Sequence, residues 1–100
     1  MAPYQNVPVT IRVELFGRAQ LACGRQHVVL DVVRHAGLVD VVTALAQACP
    51  ELVGVAIHED RTRLYESYTL NLNGLRFVTP ECLHIQAGDT LLLFSSQAGG

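Results

Sequence analysis

The chain has 100 residues, a formal net charge of -2 at pH 7 and a hydrophobic content of 50%. This length and this apolar fraction predict one folded domain over residues 1–100 and exclude a disordered polypeptide. The slightly acidic balance leaves no basic surface for DNA or for an anionic membrane. Because no apolar run reaches the roughly 18 residues of a membrane span, and because the N-terminus lacks the features of a signal peptide, we expect a cytoplasmic protein.

The cysteines and histidines give no sign of a metal site. Cys23, Cys49 and Cys82 are odd in number and far apart, which argues against a disulfide framework and favours a reducing compartment. They are expected to be buried small hydrophobic residues or surface thiols. The four histidines fall at no metal-ligand spacing. Since the sequence also lacks nucleophile-elbow, metalloprotease and phosphate-loop motifs, it does not predict a self-sufficient enzyme.

The first half of the chain predicts two strands and a helix. Residues 9–15 alternate apolar and polar side chains, as in a half-buried strand, and a second alternating run follows over residues 27–32. The polar stretch 17–24 between them predicts a hairpin loop. Across residues 38–49 apolar side chains recur at i, i+3, i+4 and i+7, which indicates an amphipathic helix that Pro50 ends.

The second half predicts an irregular excursion followed by strands. Residues 50–68 contain a polar cluster typical of a surface segment with a short helix or a mobile loop. An alternating run then ends at Asn73-Gly74, a pair typical of a tight hairpin turn, so 75–78 is the expected partner strand. The continuous apolar run 90–94 predicts a central strand. One helix covers one face of a sheet, so we expect an α+β fold with the first and last strands at its centre.

The sequence ends in two glycines, Gly99-Gly100, shortly after the last apolar run. Residues 95–100 are expected to form a flexible C-terminal tail, and six residues extend about 20 Å. Glycine has no Cβ, so such a tail fits a narrow channel and presents its carboxylate to another protein's active site. Condensation with ATP would convert that carboxylate into an acyl-adenylate, which sulfur or nitrogen nucleophiles attack. A frayed terminus without function is the alternative at this point.

The order of the predicted elements resembles the MoaD/ThiS family of ubiquitin-like (β-grasp) sulfur carriers. The segments that carry the resemblance are Val13-Glu14-Leu15-Phe16-Gly17, Pro50-Glu51-Leu52, Leu72-Asn73-Gly74, Ile85-Gln86-Ala87-Gly88-Asp89-Thr90-Leu91 and Gly99-Gly100. The resemblance implies a mixed sheet of four to five strands packed on one main helix. It also implies that a ubiquitin-activating-type adenylyltransferase, using ATP and a sulfur donor, converts the Gly100 carboxylate into a thiocarboxylate. The chain itself would bind no cofactor or metal and would not be catalytic alone.

The resemblance further implies that a synthase large subunit or another sulfur-accepting enzyme is the second partner. Its best-known member is the small subunit of molybdopterin synthase, so molybdenum cofactor synthesis is the first expectation. A carrier of sulfur for cysteine, thiamine, tRNA thiolation or a specialised metabolite is an alternative. A ubiquitin-like protein modifier is another, since fold alone does not decide function.

The tail and three apolar residues near the predicted strands are the candidate contacts with these partners. Gly100 and Gly99 carry the reacting group, and the predicted partner-binding residues are Ala98, Gln97, Ser96, Phe94, Phe77 and Leu75. Alternation directs Leu75 and Phe77 to the same side of their strand, and Phe94 is close to the tail in sequence. An exposed aromatic residue there would anchor a partner, whereas average burial favours the alternative that both phenylalanines lie in the core.

Overall fold

The computed structural model describes residues 8–79 and 85–95, which form a five-stranded sheet and two α-helices. The strands are β1 (Val9–Leu15), β2 (His27–Val32), β3 (Tyr68–Leu72), β4 (Arg76–Phe77) and β5 (Thr90–Ser95). The helices are α1 (Gly17–Cys23) and α2 (Leu38–Ala48). None of the helices in these ranges is long and apolar enough to cross a membrane.

The strands are arranged in the order β2-β1-β5-β3-β4. The two central strands, β1 and β5, run parallel, while the β1–β2, β3–β5 and β3–β4 pairs are antiparallel. The prediction that the first and last strands are central is therefore confirmed. Because β1 and β5 run parallel, their carboxyl ends lie at the same edge of the sheet.

The core lies between one face of the sheet and α2. The apolar stripe of α2 is buried against the strands, as its periodicity predicts. The buried residues of that stripe and of the facing strands are Val41, Val42, Leu45, Ala46, Ile11, Val13, Leu15, Val28, Leu30, Val32, Leu70, Leu72, Leu91 and Leu93. The predicted α+β architecture, a mixed sheet packed on one main helix, is confirmed.

The connection between β1 and β2 is a short helix, so the prediction of a hairpin loop is wrong. Gly17 begins α1 at a φ of 59°, and Gly24 ends it at a φ of 73°, where its N–H donates to the carbonyl of Gln20 at 2.9 Å. Both values lie in the left-handed region that glycine adopts without strain. Among the residues of α1 that the structure describes, only Ala19 is buried. The apolar repeat that would predict a helix is therefore missing.

The N-terminus of α2 is stabilised by a side chain from inside the helix. Gly37 precedes α2 and has no side chain, but its backbone N–H donates to Oδ2 of Asp40 at 2.9 Å. This contact is the carboxylate half of a capping box, and the negative charge also interacts favourably with the helix dipole. We expect Asp40→Ala to lower the free energy of unfolding by about 1 kcal/mol in urea denaturation. Gln47→Ala, an exposed change on the same helix, is the control, and an equal effect of both would contradict the assignment.

Cys23 and Cys49 form a disulfide, with their Cα atoms 6.3 Å apart. The prediction of free thiols is therefore wrong for these two residues, and the inference of a reducing compartment loses its basis. The two cysteines are 26 residues apart in sequence. They meet because the end of α1 lies beside the end of α2 in the fold, which the sequence pattern does not indicate. Closing a loop of this length contributes about 3.5 kcal/mol in the chain-entropy model. Cys82 lies outside the described residues.

The segment 50–68, predicted to be an irregular surface segment, is partly buried in the core. It begins with a 3₁₀ turn, Pro50–Leu52, which agrees with the expected short helix, and Ile57 farther along is fully buried. At its exposed tip, Asp60 accepts hydrogen bonds from the backbone N–H and the hydroxyl of Thr62, both at 2.9 Å. These bonds, together with the charge of Arg63, hold the pKa of Asp60 below its usual value.

Candidate functional site

The edge of the sheet from which the predicted tail leaves is defined by the ends of β1 and β5. β1 ends at Leu15, opposite Leu93 of β5, so Phe94 and Ser95 run past it and pair with the first residues of β3. Ser95, which the sequence assigned to the tail, thus belongs to β5, and the remainder of the predicted tail, residues 96–100, lies outside the described residues. This edge is called the exit edge below.

The five residues predicted to carry or accompany the reacting group lie outside the described residues. They are Ser96, Gln97, Ala98, Gly99 and Gly100. Their roles stay predictions. What the structure establishes is the strand that leads to them and the surfaces on either side of it.

The β3–β4 hairpin brings Phe77, another of the predicted partner-binding residues, toward the exit edge. Asn73 and Gly74 have φ values of 56° and 74°, as the two central residues of a type I′ turn require, so the predicted hairpin is confirmed. β4 comprises only Arg76–Phe77, shorter than the predicted 75–78. The register pairs Phe77 with Asn71 of β3, and Asn71 in turn with Leu92 of β5.

Phe77, Leu92 and Phe94 form an aromatic patch on the face of the sheet opposite α2. The side chains of Leu92 and Phe94 point away from the core because their neighbours in β5, Leu91 and Leu93, point into it. Phe77 lies on the same face, since the register aligns it with Asn71 and Leu92. Phe77 is 59% exposed and Phe94 is half-buried, and their ring centroids lie 6.2 Å apart. The alternative that both phenylalanines lie in the core is therefore wrong.

Leu75, although 84% exposed, does not lie at the exit edge. It follows Leu72 in the β3–β4 turn, and Leu72 pairs with Leu91 near the start of β5. Along β5, Leu91 is four residues from Ser95, or roughly 13 Å. Leu75 instead lines an open cavity of about 460 Å³ at the opposite end of the sheet. The structure thus separates it from the two phenylalanines with which it was grouped.

Phe16 is a residue at the exit edge that the sequence interpretation missed. It directly follows β1, donates its backbone N–H to the carbonyl of Leu93 at 3.2 Å, and is 43% exposed. The signal that could have found it is the pairing of β1 with β5, because an apolar residue after the end of β1 must then flank the end of β5. That pairing is a matter of topology, not of local sequence pattern.

The side of the exit edge toward β2 is polar. A shallow cavity of about 310 Å³ opens there, lined by Arg12, Glu14, Leu15, Phe16, Gln20 and Gln26. Arg12 pairs with Glu14 at 3.3 Å, and both side chains are well exposed, so the pair contributes at most about 1 kcal/mol. The exit edge therefore has an apolar flank toward β3 and β4 and a charged flank toward β1 and β2.

The chemistry-bearing groups that the structure describes do not converge at the exit edge. One group with metal-ligand character occurs in the described ranges, and it consists of Cys23, Cys49 and Glu51, where the end of α1 meets the end of α2. Its two sulfur atoms are bonded to each other, so neither is a thiolate ligand in this state.

Comparison with known proteins yields solved structures but no sequence family. No protein-family model and no curated protein matches the chain. Small archaeal modifier protein 1 from Haloferax volcanii superposes with a TM-score of 0.77 at 28% identity, covering 91% of this chain and 99% of that protein. Its namesake from Methanosarcina acetivorans gives 0.70 at 18% identity over 93% and 98%. A molybdopterin converting factor subunit 1 from Pyrococcus furiosus gives 0.67 at 17% identity over 87% and 97%.

The sheet order, the single main helix and these superpositions define a ubiquitin-like β-grasp protein. More specifically, the solved structures on which it superposes are small archaeal modifier proteins and a molybdopterin converting factor subunit, that is, MoaD/ThiS-like ubiquitin-fold proteins, and the chain shares their fold. The modifier proteins, at 28% identity, resemble the chain in fold and in sequence, whereas the converting factor, at 17% identity, supports the fold alone. The resemblance found in the sequence is confirmed.

Proposed function

We propose that this chain is a sulfur carrier whose Gly100 carboxylate is activated by a partner adenylyltransferase. In the first step the carboxylate attacks the α-phosphate of ATP, pyrophosphate leaves and an acyl-adenylate forms at Gly100. In the second step hydrosulfide (HS⁻) from the sulfur donor attacks the carbonyl carbon, AMP leaves with its pair of electrons, a proton is released and a thiocarboxylate remains. The partner supplies ATP binding and the catalytic groups, and this chain supplies the reacting carboxylate.

The observation that supports this proposal most strongly is the course of β5. It is the central strand beside β1, it is buried through Leu91 and Leu93, and it runs past the end of β1 at Phe94. A tail that continues from such a strand starts from a fixed point and in a fixed direction. Five residues beyond Ser95 reach about 17 Å, which is enough to enter an active site of a protein docked on the exit edge. Fixing the start of the tail also limits the ordering entropy that docking costs.

The aromatic patch is the proposed docking surface for the activating enzyme. Phe77→Ala is expected to weaken activation about tenfold or more at limiting chain concentration, because truncation of a central aromatic anchor removes its buried contact area. The measurement is the chain concentration that gives half-maximal activation. Val29→Ala is the matched control, since Val29 is 56% exposed and lies on β2, the edge strand farthest from β4 in the sheet. A Phe77→Ala variant as active as the Val29→Ala variant would exclude this surface.

A protein modifier is the second candidate function. It is supported by the likeness to the small archaeal modifier protein from Haloferax volcanii, at 28% identity. In that case a lysine amine of a target protein, not a sulfur nucleophile, attacks the acyl-adenylate or a thioester derived from it. The chain contains no lysine, so it could be attached to targets but could not form lysine-linked chains of itself.

Within the carrier function, molybdopterin synthesis is the first candidate pathway. The likeness to the converting factor from Pyrococcus furiosus supports it, and in this role the chain would act as the small subunit of the synthase. Carriers for cysteine, thiamine, tRNA thiolation or specialised metabolites use the same chemistry at the tail, so the acceptor enzyme decides between them.

The proposed activation is tested with the purified chain in a lysate of its cell of origin. ATP and hydroxylamine are added, and the C-terminal peptide is analysed by mass spectrometry. An ATP-dependent hydroxamate at Gly100 is the expected result, because hydroxylamine attacks acyl-adenylates and thioesters. Without hydroxylamine, a thiocarboxylate supports the carrier and lysine adducts of other proteins support the modifier. A Gly100 carboxylate that never reacts in the presence of ATP contradicts both.

A further inference from the structure

A thiol-based site lies where α1 meets the end of α2, on elements that the proposed function does not use. Cys23, the last residue of α1, is bonded to Cys49, which directly follows α2. Glu51 lies in the next turn, and its Oε1 is 3.5 Å from Sγ of Cys49. The sulfur and carboxylate atoms of the three residues all lie within 4.8 Å of one another.

The two cysteines differ in their access to solvent. Cys49 is fully buried, whereas Cys23 is partly exposed. Thiol–disulfide exchange requires an incoming thiolate to reach one of the two sulfur atoms. Sγ of Cys23 is therefore the atom that a reductant attacks, and Cys49 is the leaving sulfur.

Glu51 provides a hydrogen-bond acceptor that only the reduced pair can use. A disulfide sulfur carries no proton, so the 3.5 Å contact between Sγ of Cys49 and Oε1 of Glu51 is not a hydrogen bond in the oxidised chain. A Cys49 thiol, by contrast, can donate its proton to the carboxylate at this distance. Reduction therefore supplies the Glu51 carboxylate with a hydrogen-bond donor, the Cys49 thiol. This hydrogen bond stabilises the reduced, dithiol state relative to the disulfide.

Apart from the disulfide, α1 makes few buried contacts with the rest of the domain. Ala19 is its one buried residue, Leu21 is 83% exposed, and the helix has no side-chain N-cap, as judged from the part of the chain that the structure describes. Beyond α1, Arg25 donates from Nη2 to the carbonyl of Ala48 at 3.0 Å. We expect this bond to hold the chain beside the end of α2 when the disulfide opens, so that the two sulfur atoms can be joined again.

We propose that Cys23 and Cys49 form a reversible thiol–disulfide exchange site whose co-reactant is a dithiol. A thiolate of the dithiol attacks Sγ of Cys23, the bond to Cys49 breaks, and Cys49 leaves as a thiolate that takes a proton from water. The second thiolate of the dithiol then attacks the dithiol's own sulfur in the mixed disulfide, and Cys23 leaves and is protonated. Two electrons have passed to the cysteine pair, and the dithiol has become a disulfide.

Reduction of this site loosens a helix that adjoins the exit edge. α1 begins directly after Phe16, whose backbone N–H donates to Leu93 of β5 at 3.2 Å. Opening the bond at Cys23 therefore removes the covalent anchor at the far end of a helix that starts at the exit edge. The effect on docking rests on the proposed function, whereas the exchange site itself does not.

The site is tested on the full chain carrying Cys82→Ser and an ordinary carboxylate at Gly100, checked by intact mass, so that only Cys23 and Cys49 can be alkylated. The folded, oxidised protein is equilibrated with mixtures of reduced and oxidised dithiothreitol, alkylated with iodoacetamide and weighed intact. We expect two alkyl groups to appear over a defined range of mixtures with the far-UV circular dichroism unchanged. Hydrogen exchange should rise selectively in residues 17–25. A pair that opens only in denaturant, or only with loss of the whole fold, overturns the proposal.

Glu51→Gln tests the role of the carboxylate in the same equilibrium. The amide is a weaker acceptor for the Cys49 thiol, so the equilibrium constant for reduction should fall roughly threefold to tenfold. Glu59→Gln, the same change at an exposed position of the following loop, should leave it unchanged. Equal behaviour of the two variants overturns the assignment of Glu51.

The link to docking is measured separately as hydroxamate formation by the oxidised and the reduced chain. A difference in the chain concentration for half-maximal activation supports the link, and equal values overturn it. Absence of activation in both states is a failure of the proposed function, and the exchange equilibrium measured with dithiothreitol still decides the site.

Discussion

Deleting Gly100 is expected to reduce ATP-dependent activation of the chain at least about a hundredfold, because misplacing a reacting group by about 1 Å already costs on that order. The new terminal carboxylate, on Gly99, is retracted by about 3.5 Å, the length of one extended residue. β5 fixes the start of the tail, so the domain cannot advance to compensate while it remains docked. The measurement is the yield of C-terminal hydroxamate in the lysate assay.

Glu59→Gln is the control for this deletion, because it keeps the length of the tail and its terminal group. We expect its hydroxamate yield to stay within a factor of two or three of the unmodified chain, since Glu59 is exposed and an exposed side chain outside the proposed site contributes little. Both variants should retain the thermal midpoint of the parent protein. A deletion variant that is activated as well as Glu59→Gln would show that Gly100 is not the reacting residue.

Leu45→Ala is expected to lower the free energy of unfolding by about 3 kcal/mol. Leu45 lies near the middle of α2, is fully buried and faces the sheet, so its truncation removes apolar burial and leaves a cavity. For a domain of this size the loss corresponds to a decrease of about 15 °C in the thermal midpoint. A loss of about 3 kcal/mol is a large share of the free energy of unfolding of a small domain.

Leu21→Ala is the matched control for the core substitution. It makes the same change in α1, where Leu21 is 83% exposed, and is expected to alter the unfolding free energy by less than about 0.5 kcal/mol. Scanning calorimetry measures both variants. Similar midpoints for the two would mean that α2 does not pack on the sheet as described.

The parts of the fold that the sequence predicts are those with a local cause. Alternation in residues 9–15 and the helical repeat in residues 38–49 reflect the faces that β1 and α2 bury. The Asn73-Gly74 turn is predictable because two successive residues there require positive φ values. Each of these features is determined by a few neighbouring residues.

The parts that the sequence does not predict depend on contacts between distant residues. α1 buries only Ala19, so its helical state leaves no apolar repeat. The Cys23–Cys49 bond follows from the packing of the end of α1 beside the end of α2, which the 26-residue separation does not reveal. Residues 50–68 contain a charged cluster that suggests a surface segment, although Ile57 within them is fully buried.

The candidate site likewise combines residues that the sequence predicts with residues that only the sheet topology brings together. Alternation groups Leu75 with Phe77, but Leu75 belongs to the turn, and the register brings Phe77 to Phe94 instead. Phe16 joins the exit edge only because β1 and β5 are parallel neighbours. The chemistry assigned to Gly100 comes from the sequence and the family resemblance, and the structure contributes the strand and the surfaces that lead to it.

The most direct test of the sulfur-carrier proposal is the mass of the C-terminal peptide of the protein isolated from its native cells. The account predicts that a fraction of this peptide ends at Gly100 with one carboxylate oxygen replaced by sulfur, and that alkylation of the purified protein labels this terminus. A peptide that always ends in an ordinary carboxylate, or that continues beyond Gly100, would contradict it.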